Sequence, residues 1–316
     1  MNFSKSSAVS FLASLMISQV GWAKMAAPEA PPASPPPSAA EAAAKAAAEA
    51  EVAATYQDIK SLFGFVPQFL ELFPHEGIVG AWEDMKAIQL SPTTQVSGKI
   101  KELIGLAVSA QIPCHYCVYF HSQAAKFNGA QSPQLTEAVA IAALVRKWST
   151  VMGGMSTDMT AFRKQADAML AYAKNRATMD PSTEKVIQVH DAESAKQDIL
   201  QSFGLVPDFL QSYPSLALAG AWKELKSIML SKTSLEIKDK FLIALGVSAQ
   251  IPCDACTYLH RESAKLHGAS ETEIQESLAM AGETRHWSTF LNGMQISEDQ
   301  FHKETDQIFA HLKERP

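Results

Sequence analysis

All four cysteines of the 316-residue chain fall in two Cys-x-x-Cys pairs, Cys114/Cys117 and Cys253/Cys256, and each pair is followed four residues on by a histidine, His121 or His260. Pro113 and Pro252 directly precede the pairs, and proline is tolerated in the first turn of a helix but not inside one. The spacing therefore predicts a helix that begins at or just after the first cysteine, with both thiols in its first turn. There the unpaired N–H groups and the positive end of the helix dipole favour thiolate over thiol. On such a helix Cys117 and His121 stand at i and i+4 on one face, so the imidazole can take the thiol proton or hold the thiolate as an ion pair. The first cysteine, three residues back on that face, can attack a sulfenic acid formed on the second and close a disulfide.

Two other readings use the same residues. Structural disulfides persist in exported proteins, but a bridge across three residues closes almost no loop and constrains the unfolded chain little. A zinc site is the other, although tetrahedral closure wants a fourth ligand and each pair has one histidine at this spacing. Redox use fits the residues best and calls for no metal or other cofactor.

The elements that position these residues are duplicated. Phe63-Gly-Phe-Val-Pro-Gln-Phe-Leu70 recurs as Phe203-Gly-Leu-Val-Pro-Asp-Phe-Leu210, an offset of 140, and Ser109-Ala-Gln-Ile-Pro-Cys114 recurs as Ser248-Ala-Gln-Ile-Pro-Cys253, an offset of 139. Trp82 and Trp148 return as Trp222 and Trp287, and Arg146 as Arg285. Two copies with a domain-sized period indicate two homologous domains rather than a solenoid: residues 55–178 and 179–316, joined near residues 175–194. The repeated tryptophans read as core aromatics and the arginines as members of structural ion pairs. Apolar residues such as Ile100, Leu103, Ile104, Ala107 and Val108 follow helical spacing, and no useful strand-like alternation appears. The pattern predicts an all-α fold with roughly six helices per copy. Ser132-Pro133, and Ser270 with Glu273, are the expected starts of two of them.

Residues 1–23 read as a secretory signal, in which residues 8–20 are too short an apolar run to span a bilayer. Residues 24–54, rich in Ala and Pro, read as a disordered spacer whose second half is helix-permissive. An exported, periplasmic protein without stable membrane insertion after signal cleavage is expected. The net charge of −6 offers no basic patch for nucleic acid.

The order Glu102, eleven residues, Cys114-x-x-Cys117-x-x-x-His121 resembles the carboxymuconolactone decarboxylase / alkylhydroperoxidase D-like superfamily. The segments Gly64-Phe-Val-Pro67 and Gly204-Leu-Val-Pro207 resemble it too. The resemblance covers most of the mature chain. It implies two helical alkylhydroperoxidase D-like domains packed as a pseudo-dimer, and chains that assemble as homo-oligomers. It also implies a thiol peroxidase in which Cys117 attacks a small hydroperoxide, Cys114 resolves the product as a disulfide, and Glu102 with His121 relays the proton. An unidentified dithiol then restores the thiols. Cys256, Cys253 and His260 take the same parts in the second copy, where Phe241 replaces the acid and Asp239 or Asp254 would have to substitute. The decarboxylase branch lacks the cysteine pair, which disfavours that activity. The alternatives are an exported protein thiol-disulfide oxidoreductase and a redox-sensing or metal-binding scaffold.

Overall fold

The computed structural model describes residues 38–176 and 186–314, and every regular element among them is helical. The first copy contributes α1 (Ala39–Phe63), α2 (Gln68–Glu71), α3 (His75–Ala87), α4 (Gly98–Gln111), α5 (His115–Phe127), α6 (Ser132–Gly154) and α7 (Met159–Arg176). The second contributes α8 (Ala192–Phe203), α9 (Asp208–Gln211), α10 (Ser215–Leu225), α11 (Ile237–Gln250), α12 (Asp254–Leu266), α13 (Glu271–Gly293) and α14 (Glu298–Glu314), with a π-helical turn at Lys226–Leu230. The copies have seven helices each rather than six, because the single turns after Pro67 and Pro207 are too short to show a periodicity. The fold is all-α, as expected, with two homologous halves packed as a pseudo-dimer.

The signal segment and the Pro-rich half of the spacer lie outside the described residues, as does most of the expected join. The helix-permissive half opens α1, where Ser38 and Glu41 cap each other across the first turn. Ser270 and Glu273 form the expected capping box of α13. At α6 the N-cap is Gln131, one residue before the expected Ser132. Among the described residues no helix is long and apolar enough to cross a membrane.

Residues 47–316 form one compact unit. Its centre is α4 and α11, buried over almost their whole length. They pack on each other and on both α6 and α13. The close approach depends on Gly246, where a Cβ would sit 2.9 Å from Ile104 Cγ2. Buried lysines fix the loop before each central helix: Lys101 Nζ donates to the carbonyls of Ile88 and Ser91, and Lys240 Nζ to those of Ile228 and Ser231. Trp82 and Trp222 are core residues, each donating its indole N–H at 2.7 Å to an aspartate, the exposed Asp58 or the buried Asp198. Arg146 and Arg285 are exposed, and among the described residues neither forms the expected ion pair.

The two copies are interlocked rather than merely adjacent. Helix α14 lies on α5 of the first copy, and α7 on α12 of the second. Trp287 packs against Phe69 and Phe73 with ring centroids 5.2 Å apart, and Trp148 against Phe209 and Tyr213 at 5.4 and 5.1 Å. Polar contacts repeat the exchange. Tyr119 donates to Asp306 as Tyr258 does to Asp167, and Glu304 accepts the Gln68 N–H as Gln165 accepts that of Asp208.

Each half thus completes the core of the other, and neither should unfold alone. Thermal unfolding followed by near-ultraviolet circular dichroism and by tryptophan fluorescence is expected to give one coincident transition. Two well-separated transitions would contradict an interlocked core.

Candidate active sites

Cys114 is the N-cap of α5, its sulfur accepting the Cys117 N–H at 3.3 Å, and Cys253 does the same for Cys256 at the start of α12. Each pair is joined as a disulfide, with Cα atoms 5.3 Å apart. The helix starts where Pro113 and Pro252 require it, which puts the second sulfur in the first turn and one turn ahead of the histidine.

In the first copy Cys117 and His121 are both buried and line a common cavity of about 40 Å³. His121 Nδ1 lies 2.7 Å from Glu102 Oε2, with both side chains nearly inaccessible to solvent. Glu102 also accepts from Gln89 Nε2 at 3.2 Å. With Nδ1–H donating to the carboxylate, Nε2 carries the ring's lone pair, and the hydroxyl of Thr284 on α13 stands 3.5 Å from it. This approach of ring to helix α4 requires a glycine. A Cβ at Gly105 would meet the His121 ring at 2.5 to 2.8 Å, a distance at which the ring would have to leave.

The second copy departs from this arrangement on every side. Phe241 stands at the Glu102 position, Met229 at Gln89, Ala244 at Gly105, and from the exchanged helix Val145 at Thr284. His260 Nδ1 turns instead to Ser248 Oγ at 2.6 Å. Neither Asp239 nor Asp254 substitutes for the acid. Burial in apolar surroundings pushes His260 down to about 4. The first cysteines differ as well: Cys114 is fully buried beneath the amide of Asn292, 3.6 Å from its sulfur, whereas Cys253 is partly exposed and the Asn292 position is Gly153. Among the described residues no cluster of three or more His, Cys, Asp or Glu is placed to hold a metal ion.

The sequence pattern of the carboxymuconolactone decarboxylase family matches residues 78–156 and 217–299, which together make up just over half of the chain. The chain belongs to this family. Both matched segments run from α3 or α10 through the cysteine helix to the end of α6 or α13. This family member is similar to the crystal structure of a candidate gamma-carboxymuconolactone decarboxylase subunit from Burkholderia xenovorans, at 15% sequence identity over 83% of this chain and 97% of that one, with a TM-score of 0.49. The comparison with curated proteins finds no match.

The structure brings Glu102, Cys114, Cys117 and His121 together, and three further polar residues around them come from elsewhere. Gln89 reaches in from the turn after α3, and Thr284 from the other copy. Glu283, beside Thr284, is buried with no hydrogen-bond partner on either oxygen. Desolvation first, then the nearby charges of Asp84 and Glu102, push its carboxyl up to about 8. The indole N–H of Trp287, one turn on, would oppose this, yet neither group makes a hydrogen bond. The signal in the sequence was a Glu on the otherwise apolar face of α13, where the first copy has Leu144.

A carboxyl held near 8 in the folded chain and near 4.5 in the unfolded one binds its proton more tightly when folded. Its contribution is full below about 4.5 and is lost as pH rises towards 8. Glu283→Gln cannot ionise, so its Tm relative to the parent chain is expected to rise by several degrees between pH 5 and pH 8. A constant difference across that range would show that Glu283 is an ordinary carboxylate.

Proposed function

We propose that this chain is a thiol peroxidase that reduces a small hydroperoxide at the Cys114/Cys117 site, using electrons from an external dithiol. The observation that carries the reading is the buried 2.7 Å contact of Glu102 with His121 on the wall of the cavity that also holds Cys117. In the reduced protein His121 Nε2 takes the Cys117 proton. The thiolate attacks one peroxide oxygen, so that an S–O bond forms as the O–O bond breaks. The departing oxygen takes the proton back from His121 and leaves as water or an alcohol. Cys114 then attacks the sulfenic sulfur, closing the disulfide and releasing water. Thiol–disulfide exchange with an external dithiol regenerates both thiols and oxidises the donor.

A cavity of about 40 Å³ has room for only a few atoms beyond a single water, which supports hydrogen peroxide as the substrate. The reading includes export on the amino-terminal signal into the periplasm, a donor dithiol of that compartment, and assembly of the pseudo-dimeric chains as homo-oligomers. The second copy lacks both the acid and a basic histidine, so it should turn over slowly.

General acid–base assistance contributes about 10²–10⁴-fold. In hydrogen peroxide consumption driven by dithiothreitol, Cys117→Ser is therefore expected to lose at least about 90% of the activity, and Cys256→Ser to keep most of it. Loss of about half in each variant would reject the assignment of turnover to the first copy.

A further inference from the structure

The second cysteine site opens onto a cavity of about 110 Å³, against about 40 Å³ at the first. Its size has a specific origin. In the first copy Phe309 of α14 packs against Phe120 and Phe127 of α5, with ring centroids 5.5 Å apart in both pairs. Phe120 in turn stands edge-on to the His121 ring, with centroids 5.6 Å apart. The residues at the same places around the second site are Leu170, Leu259 and Leu266, all on the cavity wall. Three rings replaced by three shorter side chains leave the void.

A void of this size in a close-packed interior is destabilising unless something occupies it. Water is a poor occupant, because a buried water needs two to four polar partners. No Asp, Glu, Lys or Arg lines the cavity. The imidazole of His260 has its Nδ1–H engaged by Ser248, and His267 Nδ1 lies 2.8 Å from the Ser263 carbonyl. The Ser248 hydroxyl is itself committed to the Ala244 carbonyl, which places a proton on His260 Nδ1, and burial keeps that ring neutral at pH 7 with its lone pair on Nε2. The unpaired indole N–H of Trp148 and Nε2 of His260 could together hold one water, in a cavity with room for several. An anion would find no counter-charge here, and the cost of stripping its hydration would go unrecovered. The polar groups of the first site, Glu102, Gln89 and Thr284, are Phe241, Met229 and Val145 in this one, so all the differences run in the same direction.

We infer that the second copy is a binding site for an uncharged apolar organic molecule about the size of a single ring, held between the exchanged helix α7 and the cysteine helix α12. This site is distinct from the proposed peroxidase centre and does not depend on turnover. The half-buried Leu170, Ala173 and Leu266 and the exposed His267 form its mouth.

The test is titration of the full-length oxidised protein with benzene and, separately, with benzoate, which adds a carboxylate to the same ring. Calorimetry is expected to give saturable binding of one benzene per chain, with a rise in Tm, and no binding of benzoate. Leu170→Phe combined with Leu259→Phe, which restores two of the rings found in the first copy, is expected to weaken benzene binding at least tenfold. Absence of saturable benzene binding, equal binding of benzoate, or unchanged affinity in a folded double variant would each overturn the proposal. If the double variant does not fold, the benzene and benzoate comparison on the parent chain still decides it. Because no peroxide is present, failure here would leave the peroxidase reading untouched, and loss of peroxidase activity would leave this one untouched.

Discussion

A carboxylate and an imidazole held 2.7 Å apart out of reach of solvent are the constraint around which the first half of the molecule is arranged. Neither group would stay buried without a partner, and the surrounding residues are those that the pair requires. Gly105 lets the ring come down onto α4. Gln89 supplies a further donor to the carboxylate, and its place after α3 is fixed by the loop that the buried Lys101 gathers. Removing the acid removes the reason for the rest. In the second copy, where Phe241 stands in its place, the glycine is Ala244, the glutamine is Met229, and the histidine has turned to a serine hydroxyl.

The exchange of helices explains how two halves with the same fold can carry such different sites. Each cavity is walled by one copy's cysteine helix and by the other copy's last two helices, so a substitution in α6 or α7 alters the second site and one in α13 or α14 the first. Thr284 and Glu283 polarise the first site from outside its own copy, and Leu170 enlarges the second in the same way. A tandem chain can hold this asymmetry. A symmetric homodimer of a single copy would present both sites with the same residues.

Much of the chemistry was legible in the residues. Proline before cysteine sets where a helix starts, the i and i+4 relation puts thiol and imidazole on one face, and the offsets of 140 and 139 show two equivalent halves. The partnership of Glu102 with His121 was legible through the resemblance, although eleven residues and a turn separate Glu102 from Cys114. What could not be read was which half each apolar helix would complete. Trp148 and Trp287 have the same periodicity whether they pack within a copy or across it, since the grooves they enter are built from equivalent residues, Phe209 and Tyr213 or Phe69 and Phe73. For that reason the tryptophans read only as core residues, and no feature of the residues alone links Glu283 to Glu102. The cavity was hidden for the same reason, because Leu170 and Leu259 meet only once the exchange is known.

In the proposed peroxidase Glu102, acting through His121, activates Cys117. The most direct test of this activation is the pH dependence of Cys117 alkylation by iodoacetamide in the fully reduced protein, read by mass spectrometry at that residue, in the parent chain and in Glu102→Gln. A midpoint well below the unperturbed thiol value of about 8.5 is expected in the parent, with a clear upward shift in the variant. A parent midpoint at or above that value, or one that Glu102→Gln leaves unmoved, would contradict it.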